Sequence, residues 1–358
     1  TVNQKLRFFS LPRMLSVPKL MLALNTNYNN KMENNKMKMR TPKRLTIETV
    51  YGCNARCIMC PIDFPAKRKK QIMSTEMYKY IVDSMAKYTD EIDMFDLFGL
   101  GEPFLDPQLL DRIRYAKDKG FRNIGISTNA HLLDSDKQLP LLESGIDTII
   151  FSIDGVKKET HEAIRKRVDF DRVVSNCINI IRLRDEYDFK VKFVVRFIRQ
   201  PTNHDQWDDF KHFWLSEISP DKGDFITLYD MHSWGGKVAT KSEILKGKIV
   251  NAEIEKMACH HLDNLIILAD GSIPLCSEDW LDSPFRLGNV NDHSPMELFN
   301  GDRFNRIREV HAAGNKNKMS ICRECTVLHS EPSRIVVTSI DEPEYNIDSK
   351  RLLAVDSL

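Results

Sequence analysis

The sequence lacks an excess of charge of either sign. Its 52 lysines and arginines stand against 51 aspartates and glutamates, a formal net charge of +1. No overall field therefore draws it to a polyanion, and nucleic-acid binding is not expected. A long uninterrupted hydrophobic run is also missing. The most apolar early stretch, residues 8–24, is broken by Pro12, Arg13, Pro18 and Lys19, which makes it a poor membrane span and a poor signal-peptide core. A segment packed on the body of the protein and a cytoplasmic location are the expectations. With 358 residues, 42% of them hydrophobic, the chain is long enough to bury a core without disulfides. Its eight cysteines are then better read as metal-binding or catalytic thiols than as a disulfide framework.

Residues 26–44 are rich in Asn, Lys and Met without a period, the mark of a solvated linker. After them, short β-branched or apolar runs alternate with longer helical patterns. Strands are predicted over residues 45–50, 94–98, 123–127, 148–153, 192–198 and 225–229. Helices are predicted over 74–87, 107–119, 135–144, 158–165, 171–187 and 205–216. Six βα units predict a parallel sheet with helices outside, too few for a closed eight-stranded barrel, so the expected fold is α/β with a partial (β/α)6 barrel. Past residue 245 the rhythm stops. A hairpin around Asp270 and Gly271 and a helix near 294–312 predict a second, smaller module. The expected division is an extension over 1–44, the barrel over 45–245, the small module over 246–330 and a tail over 331–358.

Cys53, Cys57 and Cys60 lie in the loop after the first predicted strand, spaced CxxxCxxC. Three thiolates this close can hold three irons of a cubane and leave the fourth open. A structural zinc knot would want a fourth Cys or His in the same loop, and there is none. With this motif the sequence resembles the radical S-adenosylmethionine (SAM) superfamily over residues 46–198. The resemblance implies that the three cysteines hold a [4Fe-4S] cluster, that SAM chelates its open iron, and that reductive cleavage gives a 5′-deoxyadenosyl radical. Gly101-Glu102-Pro103 resembles the family's GGEP element for the methionine amino group, with Leu100 in place of its first glycine. Ser127-Thr128-Asn129 and Ser152-Ile153-Asp154-Gly155 resemble segments that line SAM. Arg165 resembles an arginine that pairs with the SAM carboxylate, a job suited to a guanidinium. Gly101, Glu102, Thr128, Asn129, Ser152, Asp154, Arg165 and also Arg196, which is flanked by apolar residues in the fifth strand, form the expected SAM set.

Four cysteines fall late: Cys259, Cys276, Cys322 and Cys325. Four thiolates can close a cubane, and they can also bind zinc. The Gly271-x4-Cys276 step and the CxxC pair resemble the SPASM/Twitch extension of radical SAM enzymes. Since a full SPASM module has seven cysteines, the shorter one-cluster arrangement fits. The module is similar to that of the butirosin-pathway aminocyclitol dehydrogenase through Cys276-Ser-Glu278-Asp279-Trp280 and Leu287-Gly288-Asn289-Val290. Trp234 stands where that enzyme has an arginine. His260 and His261 are read as structural or surface residues.

The expectation is thus an oxidoreductase with two [4Fe-4S] clusters and SAM. It would act on a small carbohydrate-like alcohol and draw electrons from a flavodoxin or ferredoxin. Asp230, His232, Glu278 and Asp279 are the candidates for proton removal or hydroxyl binding. The alternatives are an epimerase, with Cys177 as hydrogen donor, a peptide-modifying enzyme and a zinc scaffold. Cys177 falls on a periodic apolar helix face, which reads as core. Only about forty irregular residues precede the barrel, so a peptide-leader domain is not expected there.

Overall fold

Apolar residues at period two followed by amphipathic helices give the βα rhythm its physical form. The computed structural model describes residues 39–248, 250–282, 284–330, 334–340 and 345–346. The apolar stretch 8–24 and most of the linker expected over 26–44 lie outside the described residues. The described fold is that of the unit Thr41–Leu358. Its strands are β1 (Arg44–Ile47), β2 (Met94–Asp96), β3 (Ile124–Thr128), β4 (Thr148–Ser152), β5 (Lys192–Arg199) and β6 (Phe225–Asp230). Then follow β7 (Asn264–Ile267), β8 (Ser272–Ile273), β9 (Gly288–Asn289), β10 (Ile335–Val337) and β11 (Tyr345–Asn346). Nine of them form one sheet in the order β7-β1-β2-β3-β4-β5-β6-β10-β11. The first seven run parallel, and β10 and β11 close one edge antiparallel.

All six predicted strands are present. The sequence did not anticipate β7, which comes from beyond residue 245 and pairs in parallel with β1, so the later part of the chain is built onto the barrel's own sheet. Nor did it anticipate β10, which pairs with β6 where the sequence shows no usable period. The hairpin turn sits at Asp270 and Gly271, where Gly271 has φ 79° and donates to the Leu268 carbonyl.

Helices α1 (Thr75–Met85), α2 (Leu109–Asp118), α3 (Ser135–Leu142), α4 (Lys158–Ile164), α5 (Phe170–Glu186) and α6 (Trp207–Glu217) connect the strands. The amphipathic stripe of α5 buries Val173, Asn176, Cys177, Ile180, Ile181 and Arg184 at three- and four-residue spacing. Its start is set by Asp169, whose carboxylate accepts from the Arg172 amide at 2.8 Å. Cys177 is fully buried in this stripe. The long predicted helix near residue 300 is two helices, α7 (Pro295–Asn300) and α8 (Asp302–Ala312), separated at Gly301.

Strand alternation gives the barrel two different faces. Ile126, Phe151, Val195 and Phe197 join the main core, whereas Ile150, Val194 and Phe225 form a small plug with Val336. Ser127, level with Ile150, and Ser152 and Arg196, one pair further along, are hydrogen-bonded neighbours, Ser152 lying beside Arg196 in register.

Arg184 and Asp224 make a fully buried pair, with Nη1 to Oδ1 at 3.0 Å and Nη2 to Oδ2 at 2.5 Å. Asp224 also accepts from the amides of Phe193 and Ser219. Asp224→Ala takes the buried carboxylate from a guanidinium that keeps only the Val191 carbonyl and Asp185 and leaves two amides without their acceptor, and is expected to cost about 3–5 kcal/mol by denaturant unfolding. A loss below about 1 kcal/mol, the size of an exposed pair, would refute that account.

Candidate active site and cluster sites

Because β1 to β7 run parallel, their carboxyl ends open on one side, and the unusual residues of the chain collect there. Glu48, just past β1, is buried. It accepts from Leu100 N and Ala269 N at 3.1 and 3.0 Å and pairs with Arg68 at 2.7 Å. Burial pushes its carboxyl up, with Arg68 opposing. This tie joins β1, the loop after β2 and the end of β7. Nothing in the local sequence marks it.

The three-cysteine loop follows. Arg56–Cys57 pairs antiparallel with Arg165–Lys166, and the Ile58 amide donates to the Ile164 carbonyl, so the end of α4 holds the loop. That ribbon is why Arg165 reaches the cysteines: its Nη1 lies 3.6 Å from Cys57 Sγ and its Nη2 2.8 Å from Asp154. Cys53 Sγ faces the Ala55 amide at 3.3 Å and Asn129 Nδ2 at 3.8 Å. Burial pushes the thiols of Cys53 and Cys60 up to about 12, and the Cys57 thiol is raised by the same cause against Arg165. Such thiols hold negative charge only beside a cation such as iron.

Glu102 is buried and accepts from Thr128 Oγ1 at 2.6 Å and the Asn129 amide at 2.9 Å. Asn129 in turn donates to Asn54 Oδ1 at 2.9 Å, a link the sequence reading missed. Gly101 is required here, because a Cβ would stand 2.1 Å from the Val50 carbonyl oxygen. Arg196 Nη2 donates to Ser127 and Ser152 at 2.6 and 2.7 Å. Among the described residues, the Nε atoms of Arg165 and Arg196 are buried without a hydrogen-bond partner. Buried cationic donors left over beside three thiols are what an anionic ligand such as the SAM carboxylate would satisfy. The expected SAM set is therefore brought together around the loop.

The four late cysteines line one cavity together with His261, Glu278, His311 and Lys316. Burial raises Cys276 and Cys325 well above the ordinary thiol value and Cys322 to about 12. Four converging thiols fit a closed cubane, and no other Cys is needed. Among the described residues, no three His, Cys, Asp or Glu side chains are drawn together as ligands of a single ion. His261, read from sequence as structural or surface, lines the cavity, with Nδ1 3.2 Å from Ser277 Oγ.

One short segment touches both cysteine sites. Trp234 donates from Nε1 to the Met59 carbonyl, between Cys57 and Cys60, at 2.9 Å. Ser233 donates from its amide to Thr326 Oγ1 at 2.9 Å and from Oγ to the Glu324 carbonyl at 2.6 Å, beside the CxxC turn. Gly235 and Gly236 have positive φ and lie so close to Ile321 and Glu324 that a Cβ would stand 2.5 and 2.7 Å from their side chains. His232 packs on Trp234 with ring centroids 4.5 Å apart and shares a hydrogen bond with Glu278 at 2.8 Å. The other two acid candidates are held differently. Asp230 pairs with Arg199 at 2.9 Å and Lys248 at 2.7 Å, and Asp279, fully buried, accepts from the Leu275 amide at 3.1 Å.

A partial α/β barrel with a three-thiol loop past its first strand and a second, four-thiol cavity defines an iron–sulfur protein class, and comparison with known proteins names it. Residues 47–194 match the Radical SAM superfamily and residues 259–326 the iron–sulfur cluster-binding domain called SPASM. The chain therefore carries a Radical SAM domain, a domain type that binds SAM and a [4Fe-4S] cluster, followed by a SPASM domain, a type that binds additional iron–sulfur clusters. Its fold is similar to BtrN in complex with AdoMet and 2-DOIA, at 16% identity and TM-score 0.52, covering 86% of this chain and 98% of that one. It is also similar to Streptococcus suis SuiB bound to precursor peptide SuiA, at 14% identity and TM-score 0.58, covering 90% and 78%. In sequence it is 35% identical over 112 residues to the tungsten-containing aldehyde ferredoxin oxidoreductase cofactor-modifying protein of Pyrococcus furiosus, 31% of each chain. The chain spans well under two thirds of the length of the curated relatives it matches. Among the described residues, no helix is long and apolar enough to cross a membrane.

Proposed function

We propose that this protein is a radical SAM oxidoreductase that removes two electrons from an alcohol carbon of a small sugar- or aminocyclitol-type substrate. The observation that supports it most is the segment 232–234, joined on one side to the three-cysteine loop and on the other to the four-cysteine cavity. When bound, SAM and the first cluster supply a hydrogen-abstracting 5′-deoxyadenosyl radical, and the auxiliary cluster supplies a one-electron sink. Cys53, Cys57 and Cys60 would hold the first cluster and Cys259, Cys276, Cys322 and Cys325 the second. Glu102, Thr128, Asn129, Ser152, Asp154, Arg165 and Arg196 would bind SAM. A reducing cytoplasm and a flavodoxin- or ferredoxin-type reductant complete the reading.

Of the four candidates for proton removal, His232 is the one geometry favours. A carboxylate at Nδ1 makes that nitrogen the donor, so Nε2 carries a lone pair that can take a proton from a substrate hydroxyl. Glu278 holds the ring in that tautomer. Asp230 and Asp279 are committed to cations and to a backbone turn and serve as positioning residues.

Anaerobic assays with SAM, reductant and a panel of deuterated aminocyclitols and sugars test this. A carbonyl product with deuterium carried into 5′-deoxyadenosine is expected. His232→Ala should lower product formation by about 10²–10⁴-fold while slow SAM cleavage without substrate persists. Oxidation or cross-linking of a peptide instead would favour the second reading, for which the likeness to peptide-bound SuiB is the support.

Glu102 adds a pH dependence. Burial raises its carboxyl to about 7, against the opposing Asn129 and Thr128 donors. A raised folded-state value favours the neutral form, so the group's stability contribution is full below its unfolded value and is lost as pH rises through about 7. Binding an ammonium needs the carboxylate and follows the reverse sign. SAM affinity should therefore rise by about tenfold between roughly pH 6 and pH 8, and Glu102→Gln should bind weakly with a flat profile. An identical slope in that variant would remove Glu102 from the SAM site.

A further inference from the structure

His311, on the buried side of α8, is 2% exposed and stands between two of the late cysteines. The Cys259 amide points at its Nδ1 at 3.4 Å, and Cys322 Sγ lies 3.5 Å from its Nε2. An N–H aimed at Nδ1 requires a lone pair there, so the ring proton sits on Nε2 and faces the sulfur. Lys316, in the turn after α8, is 6% exposed, donates to the Ile254 carbonyl at 2.5 Å, and lines the same cavity as the four cysteines. A buried ammonium is costly unless negative charge faces it. Burial pulls the Lys316 ammonium down, and Cys259, Glu255 and Cys325 oppose that, Glu255 also pairing with Lys241 and His329.

Adding an electron to a cluster makes it more negative, so a hydrogen-bond donor on a ligand sulfur and a nearby cation both stabilise the reduced form more than the oxidised one. We propose that His311 and Lys316 raise the reduction potential of the auxiliary cluster, His311 through an Nε2–H···S hydrogen bond to the Cys322 thiolate and Lys316 by placing positive charge inside the cluster cavity. This rests on the reading that the four cysteines hold a cluster.

The test is an EPR-monitored redox titration of the reconstituted holoenzyme, with the two cluster signals resolved. His311→Phe keeps a ring and removes the donor, and Lys316→Met keeps the chain and removes the charge. Each is expected to lower the equilibrium constant for one-electron reduction of the auxiliary cluster about tenfold, which is about 59 mV for a one-electron couple. The first cluster should not move. His311→Gln, which restores an N–H, should recover most of the potential, and Lys318→Met, an equal charge change at an exposed site two residues on, should shift it little. If His311→Phe does not retain the cluster, pulsed EPR of the reduced wild type labelled with 15N-histidine reads the same contact. A coupled histidine nitrogen and one exchangeable proton are expected there, and finding neither would overturn the inference. Unshifted potentials in variants that keep both clusters would overturn it while the two-cluster reading stood; a wild type holding only four irons would overturn both.

Discussion

Cys57→Ala is expected to abolish 5′-deoxyadenosine release and to remove about half the iron and sulfide from a chain that otherwise holds about eight of each. Cys57 is the middle thiol of its loop, and its sulfur faces the Arg165 guanidinium. Two remaining thiols cannot hold a cubane that keeps one iron open for SAM. The fold should survive, because the backbone pairing of Arg56–Cys57 with Arg165–Lys166 does not use the side chain and a Cys-to-Ala change removes little volume. Anaerobic iron and sulfide analysis with chromatography of the nucleoside product checks both parts. Normal cleavage in the variant would move the SAM site elsewhere, and four irons plus stoichiometric zinc in the wild type would replace the auxiliary cluster with a zinc site.

The second large effect separates oxidation from epimerisation. Cys322→Ala combined with Cys325→Ala should keep four irons and SAM cleavage yet form little oxidised product, since two of the cavity's four thiols are gone. Cys177→Ala should change neither step. That thiol is fully buried in the apolar stripe of α5 among the residues of the main core, where a substrate radical cannot reach it. An epimerase would reverse the pattern, with Cys177→Ala blocking turnover and solvent deuterium appearing at an inverted carbon without net oxidation.

Both experiments depend on features that differ in how far they could be read from the chain alone. The three-cysteine loop, the Gly101-Glu102-Pro103 turn and the late cysteines were visible because cluster ligation and tight turns need particular residue types at short spacing. The βα rhythm was visible because strand and helix periods differ. Residues 232–234 were visible only as candidates. How Asp230, His232 and Glu278 are engaged depends on partners 18 to 46 residues away in sequence, Lys248 for Asp230 and Glu278 for His232.

The sequence by itself determined the class of chemistry and the barrel that carries it, since both are written in local spacing and periodicity. Only the tertiary structure decided how the later part of the chain is attached, through β7 on β1 and the Glu48 carboxylate shared among three segments. It also decided that Trp234 reaches the first cysteine loop and that His311 and Lys316 enter the second cavity. The reason is physical. A buried polar atom is satisfied by whichever donor or acceptor the packing brings within about 3 Å, and no pattern along the chain records partners that meet only after β-strands far apart in sequence have paired.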